Sequence, residues 1–572
     1  MKETINNVLF QSIEKNFARK AFSHYSGDES LTYLELGRSV TGISLWLISQ
    51  GIQPGDKVAL LGESSLYWPQ VYFAVTTMGA VLVPILPDFQ AEEISKILSH
   101  SESKLLFLSQ KQKEKMDKAG CDLSMVVLEE LPSENEEGME LLDKYRSEVE
   151  EDSLAAILYT SGTTGNSKGV MLSHKNFVSN AKSASLIPKP RLKTGHVWLS
   201  LLPLAHTYEC TIGMIINVYT GGHTYYLGRP PVPSIIVKAL KKLRPRVILS
   251  VPLLIEKIYS SSIKPNITTG FLGSLYKVPF MRRPIHWLAG RKLYKTFGGR
   301  LSFFGVGGAP LSAEVEKFLR DARFPYSIGY GLTETSPLLA GSPPLKGAFR
   351  STGKVLERVE IRLAEEGEIQ ARGPNIMQGY YKNEEMTKEV MTEDGWFRTG
   401  DIGEFDRRGN LFIKGRIKNV ILGANGENIY PESIESVINA EPFVEESLVL
   451  EGGGGLTALV HFNYERVVEE LQRLRYQHEH RGEGKEFHVE GDKKGWIPSA
   501  EEVSQFMEKY RASLTKTVNT RLSVFSRISH VKEESEPFIR TPTKKIKRFL
   551  YDHMGRKDKD RKEETSDDSD QS

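Results

Sequence analysis

Cysteine is almost absent from this chain of 572 residues: only Cys121 and Cys210 occur, far apart and without metal-like spacing. That count excludes a disulfide framework and a cysteine-built zinc site, and it makes a reducing, cytoplasmic setting the natural expectation. Charge imbalance is also missing. Lys and Arg number 75 against 73 Asp and Glu, a formal net charge of +2, so nothing global marks a nucleic-acid binder and any anion site must be local. Long apolar runs are lacking too: the longest, Val71 to Leu86, is broken by Thr76, Thr77, Gly79 and Pro84. It is too short for a membrane span and reads instead as a helix followed by the strand Val81-Leu82-Val83-Pro84-Ile85. Met1-Lys2-Glu3-Thr4 begins no charged-then-apolar leader pattern.

What is present is an alternation of helical and strand patterns. Thr32 to Leu47 has helical spacing, and Lys57–Leu61 and Lys104–Leu108 are short buried strands. Such alternation predicts a mainly parallel α/β sheet covered on both faces. The chain exceeds one ordinary domain, so two or more are expected. From Gly353 to Lys414 short strands follow one another (Val359–Leu363, Gly367–Ala371, Leu411–Ile413), which predicts a small β-barrel subdomain. The acidic stretch 134–137 reads as a solvated loop.

The densest chemistry lies in Tyr159-Thr160-Ser161-Gly162-Thr163-Thr164-Gly165-Asn166-Ser167-Lys168-Gly169, after the apolar strand Leu154–Leu158. Glycines let a backbone turn sharply and aim N–H groups at a ligand, while four hydroxyls and one ammonium add donors. The loop suits a polyphosphate. It is not the G-x-x-x-x-G-K-[ST] loop of a P-loop ATPase, because Lys168 follows Gly165 by three residues and precedes Gly169. Further ligand-facing strings follow: Pro203-Leu204-Ala205-His206-Thr207-Tyr208-Glu209; Gly305-Val306-Gly307-Gly308-Ala309-Pro310, with Ser312 as the expected cap of the next helix; and Tyr330-Gly331-Leu332-Thr333-Glu334-Thr335-Ser336-Pro337. Beyond these come Asp394 to Gly403, then Gly415-Arg416-Ile417-Lys418-Asn419, and near the end Lys544-Lys545-Ile546-Lys547-Arg548.

In this order the strings resemble those of the adenylate-forming enzymes (acyl-CoA synthetases, luciferases and carrier-protein adenylation domains), and Asp394 to Glu435 resembles the signature region of fatty-acyl-CoA synthetases. The resemblance implies a large N-terminal adenylate-forming domain over 1–416 and a small mobile α+β domain over 417–552; the tail over 553–572 is dense in charge of both signs and reads as disordered. It implies phosphate binding by Thr160, Ser161, Gly162, Thr163, Thr164, Gly165 and Lys168, and adenine contact by Gly308, Ala309, Tyr330 and Gly331. Thr333 would meet the α-phosphate, Glu334 would bind Mg2+, Asp401 would grip the ribose, and Arg416 would contact ribose or phosphate. Lys418 would be the hinge, His206 would orient the substrate carboxylate, and Lys545 would be the catalytic lysine, with Lys544 as a competitor because the usual Gly-Lys is here Lys-Lys.

The implied reaction is activation of a medium- to long-chain fatty acid by ATP through an acyl-adenylate to acyl-CoA. Two rivals stay open: an acyl-carrier-protein ligase sharing the first step, and a non-catalytic adenylate-binding scaffold. No nucleic-acid partner is expected. Residues 257–300 carry nine Lys or Arg, no Asp or Glu, and interleaved aromatics. They read either as a helix pair with an exposed basic face or as a peripheral contact with an anionic membrane. A highly charged insert over 465–485, helical by pattern, reads as functionally uninformative.

Overall fold

The computed structural model describes residues 2–132, 139–161, 167–228, 232–422, 427–452, 455–479, 496–541 and 545–556. Two large sheets form the N-terminal body. A seven-stranded sheet is ordered Gly379–Tyr380, Ser167–Ser173, Leu154–Ser161, Val81–Ile85, Lys57–Leu61, Ser103–Leu108, Met125–Val127. Its middle pairs run parallel, as the near-continuous apolar strands required, and its last two strands on the Gly379 side are antiparallel. A nine-stranded sheet places Val197–Ser200, Val247–Ser250, Phe303–Val306 and Tyr326–Gly331 side by side and parallel.

The helix predicted from Thr32 runs Tyr33–Ser49. Thr32 accepts from the Glu35 N–H, and the Glu35 carboxylate accepts from the Thr32 N–H. Apolar side chains of both sheets and their covering helices form one continuous core that includes Trp68, Tyr72 and Phe177. Trp68 stacks on Tyr72 with ring centroids 5.5 Å apart. A second core lies beneath the basic segment, around Phe297, Phe304, Phe318 and Phe324.

Four expectations are corrected. The small β subdomain is an open four-stranded antiparallel sheet, Glu360–Leu363, Glu368–Arg372, Phe397–Phe405, Leu411–Arg416, whose outer strands do not pair with each other to close a barrel. Ser312 stands at the N-cap of the helix Ala313–Asp321, but its hydroxyl makes no capping bond; it is the Ser312 N–H that is engaged, donating to the Glu256 carboxylate at 2.7 Å. The tail expected to be disordered from 553 begins with the end of a short helix, Asp552–Arg556, where Met554 packs beside Tyr551 and Phe538. The basic segment folds not as a helix pair but as three helices, Lys264–Thr268, Gly270–Tyr276 and Arg282–Thr296, after a π-helical turn at Tyr259–Ile263.

After Arg416 the chain makes a single 3-10 turn, Ile417–Asn419, with Lys418 exposed. It then builds a separate three-stranded sheet, Val444–Gly452, Gly455–Phe462 and Ile528–Glu533, covered by the helices Pro431–Ile438 and Ala500–Asn519. This smaller body has its own apolar core, around Ile434, Val449, Val460 and Leu514. The charged insert contributes the helix Tyr464–Glu479, and its remainder, 480–485, lies outside the described residues, as does the acidic stretch 134–137.

Candidate active site

One cleft, enclosing about 4270 Å³, opens at the carboxyl ends of the parallel strands and continues between the two bodies. Strand carboxyl ends are where open α/β sheets offer their turns and backbone groups to ligands. The strand Leu154–Ser161 delivers Thr160, and the antiparallel return Ser167–Ser173 delivers Lys168 directly across from it. The tip between them, with Gly162, Thr163, Thr164 and Gly165, lies outside the described residues, and Ser161 closes the strand. The Thr160 hydroxyl is buried at this mouth with no hydrogen-bond partner among the described residues. An orphaned buried hydroxyl costs free energy unless something fills it.

Lys168 is the hub of a short chain of bonds. Its ammonium donates to the Tyr380 hydroxyl at 2.7 Å and pairs with Glu334 Oε1 at 3.0 Å, while the Tyr380 hydroxyl donates to the same oxygen at 2.9 Å. Burial works to raise the Glu334 carboxyl, but Lys168 and Tyr380 outweigh it and hold Glu334 below the usual carboxylate range. It is therefore ionised at neutral pH. Glu334 sits in the 3-10 turn Thr333–Thr335, with Thr333 on the cleft wall. That turn is reached through Gly331, where an added Cβ would stand 1.7 Å from the Pro337 carbonyl oxygen, so no other residue fits.

A second cluster faces the first. Asp401 and Arg416 are opposite each other across the strands Phe397–Phe405 and Leu411–Arg416. Arg416 Nε lies 2.8 Å from Asp401 Oδ1, and the Tyr330 hydroxyl donates to Oδ2 at 2.8 Å. Burial raises the Asp401 carboxyl, with Arg416 pulling the other way. Lys545 enters from the smaller body and lines the same cleft. Desolvation among these groups and the nearby Arg416 guanidinium hold its ammonium below the usual lysine range, against the opposing pull of Asp401 and Glu334. Lys544 lies outside the described residues.

His206 stands on the cleft wall after the strand Val197–Ser200. Its Nδ1 accepts from the Tyr208 N–H at 3.3 Å, which leaves the proton on Nε2. Burial, helped by Lys545, lowers its pKa to about 4, so the ring is a neutral donor. Gly308 (φ +88°) makes the left-handed turn that carries Gly307 and Ala309 along the cleft. This turn is pinned from behind: Glu256 takes the Ser312 N–H, and Arg350 donates to the Leu311 carbonyl.

The structure thus gathers Thr160, Lys168, His206, Gly308, Ala309, Tyr330, Gly331, Thr333, Glu334, Asp401, Arg416, Lys418 and Lys545 on one cleft. Sequence reasoning missed Tyr380, Glu256 and Arg350. Tyr380 lies 212 positions from Lys168 and comes into reach only because Gly379–Tyr380 pairs beside Val170 and Met171. No local string announces it.

Among the described residues no three His, Cys, Asp or Glu are grouped to hold a metal ion. One ionised, buried carboxylate is nevertheless what a magnesium carried by phosphates needs from a protein, so Glu334 fits that role. Among the same residues no helix is long and apolar enough to cross a membrane.

Comparison with known proteins agrees with this geometry. The family model described as AMP-binding enzyme matches residues 9–381. A long-chain-fatty-acid–CoA ligase, FadD15 of Mycobacterium bovis, is 30% identical over 458 residues, covering 73% of this chain and 75% of its own. A chloroplastic long-chain-fatty-acid–[acyl-carrier-protein] ligase of Arabidopsis thaliana, AEE15, is 28% identical over 520 residues, covering 73% and 70%. The fold matches that of the ATP-bound RpMatB-BxBclM chimera B3 with a TM-score of 0.72, at 23% identity, over 97% of this chain and all of the other. The chain belongs to the AMP-binding enzyme family.

Proposed function

We propose that the protein activates medium- to long-chain fatty acids with ATP, through an acyl-adenylate, and passes the acyl group to CoA. The observation that carries this reading is the convergence of Lys168, Arg416 and Lys545 with Glu334 and Asp401 on one cleft, beside the orphaned hydroxyl of Thr160. Within this cluster of five side chains three cations stand against two carboxylates, a local excess of one positive charge suited to a polyphosphate.

In the first half-reaction the fatty-acid carboxylate attacks the α-phosphorus and pyrophosphate leaves. Lys168 and Lys545 would hold the phosphate oxygens as negative charge grows on them, an electrostatic contribution that needs no proton transfer. Thr333 would meet the α-phosphate, Asp401 would grip the ribose, and the turn at Gly308 and Ala309, with Tyr330, would border the adenine. Magnesium, when it arrives with ATP, supplies further charge neutralisation at Glu334. The Nε2–H of His206 would orient the attacking carboxylate. The smaller body would then turn about Lys418, withdraw Lys545 and admit the thiol, whose sulfur attacks the acyl carbon as AMP leaves. For the acyl chain, the same cleft continues past Leu227, Val251, Leu253 and Tyr259. Each methylene buried there is worth about 0.8 kcal/mol.

That continuation reaches the basic segment, where Phe271 and Phe280 are 78% and 77% exposed. Exposed aromatics among cations suit docking on an anionic bilayer, from which a fatty acid could enter. The likeness to AEE15 supports a second reading, with acyl carrier protein as acceptor. Product mass spectrometry tests all of this. Purified protein, Mg·ATP and acids of graded length are offered CoA, holo acyl-carrier protein, or no acceptor. Acyl-CoA peaking at one chain length is expected. Acylated carrier protein without acyl-CoA would move the assignment to the rival, and no acid-dependent pyrophosphate release would refute it.

A further inference from the structure

Lys545 belongs to a hairpin whose two arms are each fastened to a different buried carboxylate. The arms meet through Thr541 N–H to the Lys545 carbonyl at 2.8 Å and Lys547 N–H to the Ile539 carbonyl at 2.9 Å, with Arg540 bridged to Ile546 between them. On the first arm, Arg540 pairs with Glu446, whose other oxygen accepts from the Phe538 N–H at 3.0 Å. On the second arm, Arg548 pairs with Glu435, whose other oxygen accepts from the Val449 N–H at 2.7 Å. Both carboxylates are buried. Burial raises the Glu435 carboxyl and Arg548 opposes it.

The pairs are directional because of where they stand. On the strand Val444–Gly452, Glu446, Leu448 and Leu450 share one face by the two-residue period, and Leu448 and Leu450 pack with Phe538 of the first arm and with Tyr551, three residues past Arg548. Glu435 lies on the helix Pro431–Ile438, whose Glu432 accepts from Asn419 at 2.5 Å, one residue past Lys418. Lysine arm, strand, helix and hinge are thereby joined. A buried ion pair adds little net stability over an apolar pair of equal size, so what these two add is orientation.

We propose that Glu435 and Glu446 are positioning residues that hold the two arms of the Lys545 hairpin and so aim the lysine into the cleft for adenylation. This rests on the activity proposed above. The test uses the full chain with Glu435→Gln, Glu446→Gln and both together. Glutamine keeps the acceptor for Val449 or Phe538 and removes the charge nearest the arginine, with Glu432 left 4.0 Å from Arg548. Acyl-adenylate formation from Mg·ATP and the best fatty acid is measured beside thioester formation from supplied acyl-adenylate and CoA.

The double variant is expected to lose on the order of 10- to 100-fold in adenylation, since a displacement of about 1 Å can cost that much. Thioester formation should stay within about twofold. Adenylation within about twofold of wild type would overturn the proposal, as would an equal fall in both half-reactions, which marks a loosened domain. Wild-type protein lacking both half-reactions would instead overturn the activity itself, and this inference with it.

Discussion

Replacing Lys545 by alanine is the most direct probe of the cleft. Lys168, Arg416 and Lys545 stand there in one cluster with Glu334 and Asp401, so the substitution takes that cluster's formal charge from one positive to neutral just where a pentavalent phosphorus gathers negative charge. A unit charge about 4 Å from another is worth about 4 kcal/mol at the effective dielectric of partly buried sites. Removing one preorganised donor from a developing oxyanion elsewhere costs about 2.7–4 kcal/mol. The two routes agree on a loss of about 10²- to 10³-fold in acyl-adenylate formation. Quenched-flow measurement of acyl-adenylate and pyrophosphate reads the first half-reaction, and thioester formation from supplied acyl-adenylate reads the second. The second should be nearly unchanged. A loss under about tenfold, or the same deficit appearing in Lys544→Ala instead, would refute the assignment of Lys545. The pH profile adds a check. Only the ammonium form stabilises the phosphate, and its pKa lies below the ordinary lysine value, so adenylation should decline on the alkaline side before a free lysine would titrate.

Tyr380→Phe removes a hydroxyl that joins Lys168 to Glu334 and should lower kcat/KM for ATP about 10- to 100-fold, the worth of a hydrogen bond to a charged group. Steady-state kinetics checks it. His174, buried with its Nδ1 accepting from the Ile5 N–H, has its pKa lowered to about 3 by burial. Its neutral form is favoured by the fold, so its contribution is intact above about pH 6.5 and is lost as pH falls toward 3, by roughly 3 kcal/mol at pH 4. Thermal melts from pH 7 to 4 should therefore fall less steeply in His174→Gln. Replacing Arg282, Arg291 and Lys292 by alanine should weaken binding to anionic liposomes on the order of 100-fold at about 1 kcal/mol per residue, read by co-sedimentation. Unchanged binding would remove the membrane from the account.

The parts of the fold that sequence made legible are those set by local rules. The buried strands Lys57–Leu61 and Ser103–Leu108 and the capped helix at Thr32 follow from apolar period and end chemistry. The open edge of the β subdomain did not, because closure depends on whether Glu360–Leu363 meets Leu411–Arg416, and no residue within either strand encodes that. The cleft shows the same division. Lys168, Glu334, Asp401 and Arg416 stand in strings dense enough to mark themselves. Tyr380 and Glu256 act through partners 212 and 56 positions away, and only tertiary pairing brings them there. The charged insert shows the same division: Arg466 on its helix donates to Ser260 at 3.0 Å, within the basic segment, a contact that charge density alone does not foretell.

The cross-strand pair of Asp401 and Arg416 carries one more consequence. Arg416 ends its strand, and the exposed Lys418 stands two residues on. Under the proposed swing, the nucleotide's anchor would coincide with the fulcrum of a lever. A fulcrum barely translates while the far arm sweeps, so AMP would keep its grip on Asp401 as Lys545 departs. The leaving nucleotide would act as an axle through both half-reactions, freed only after the acyl group has gone.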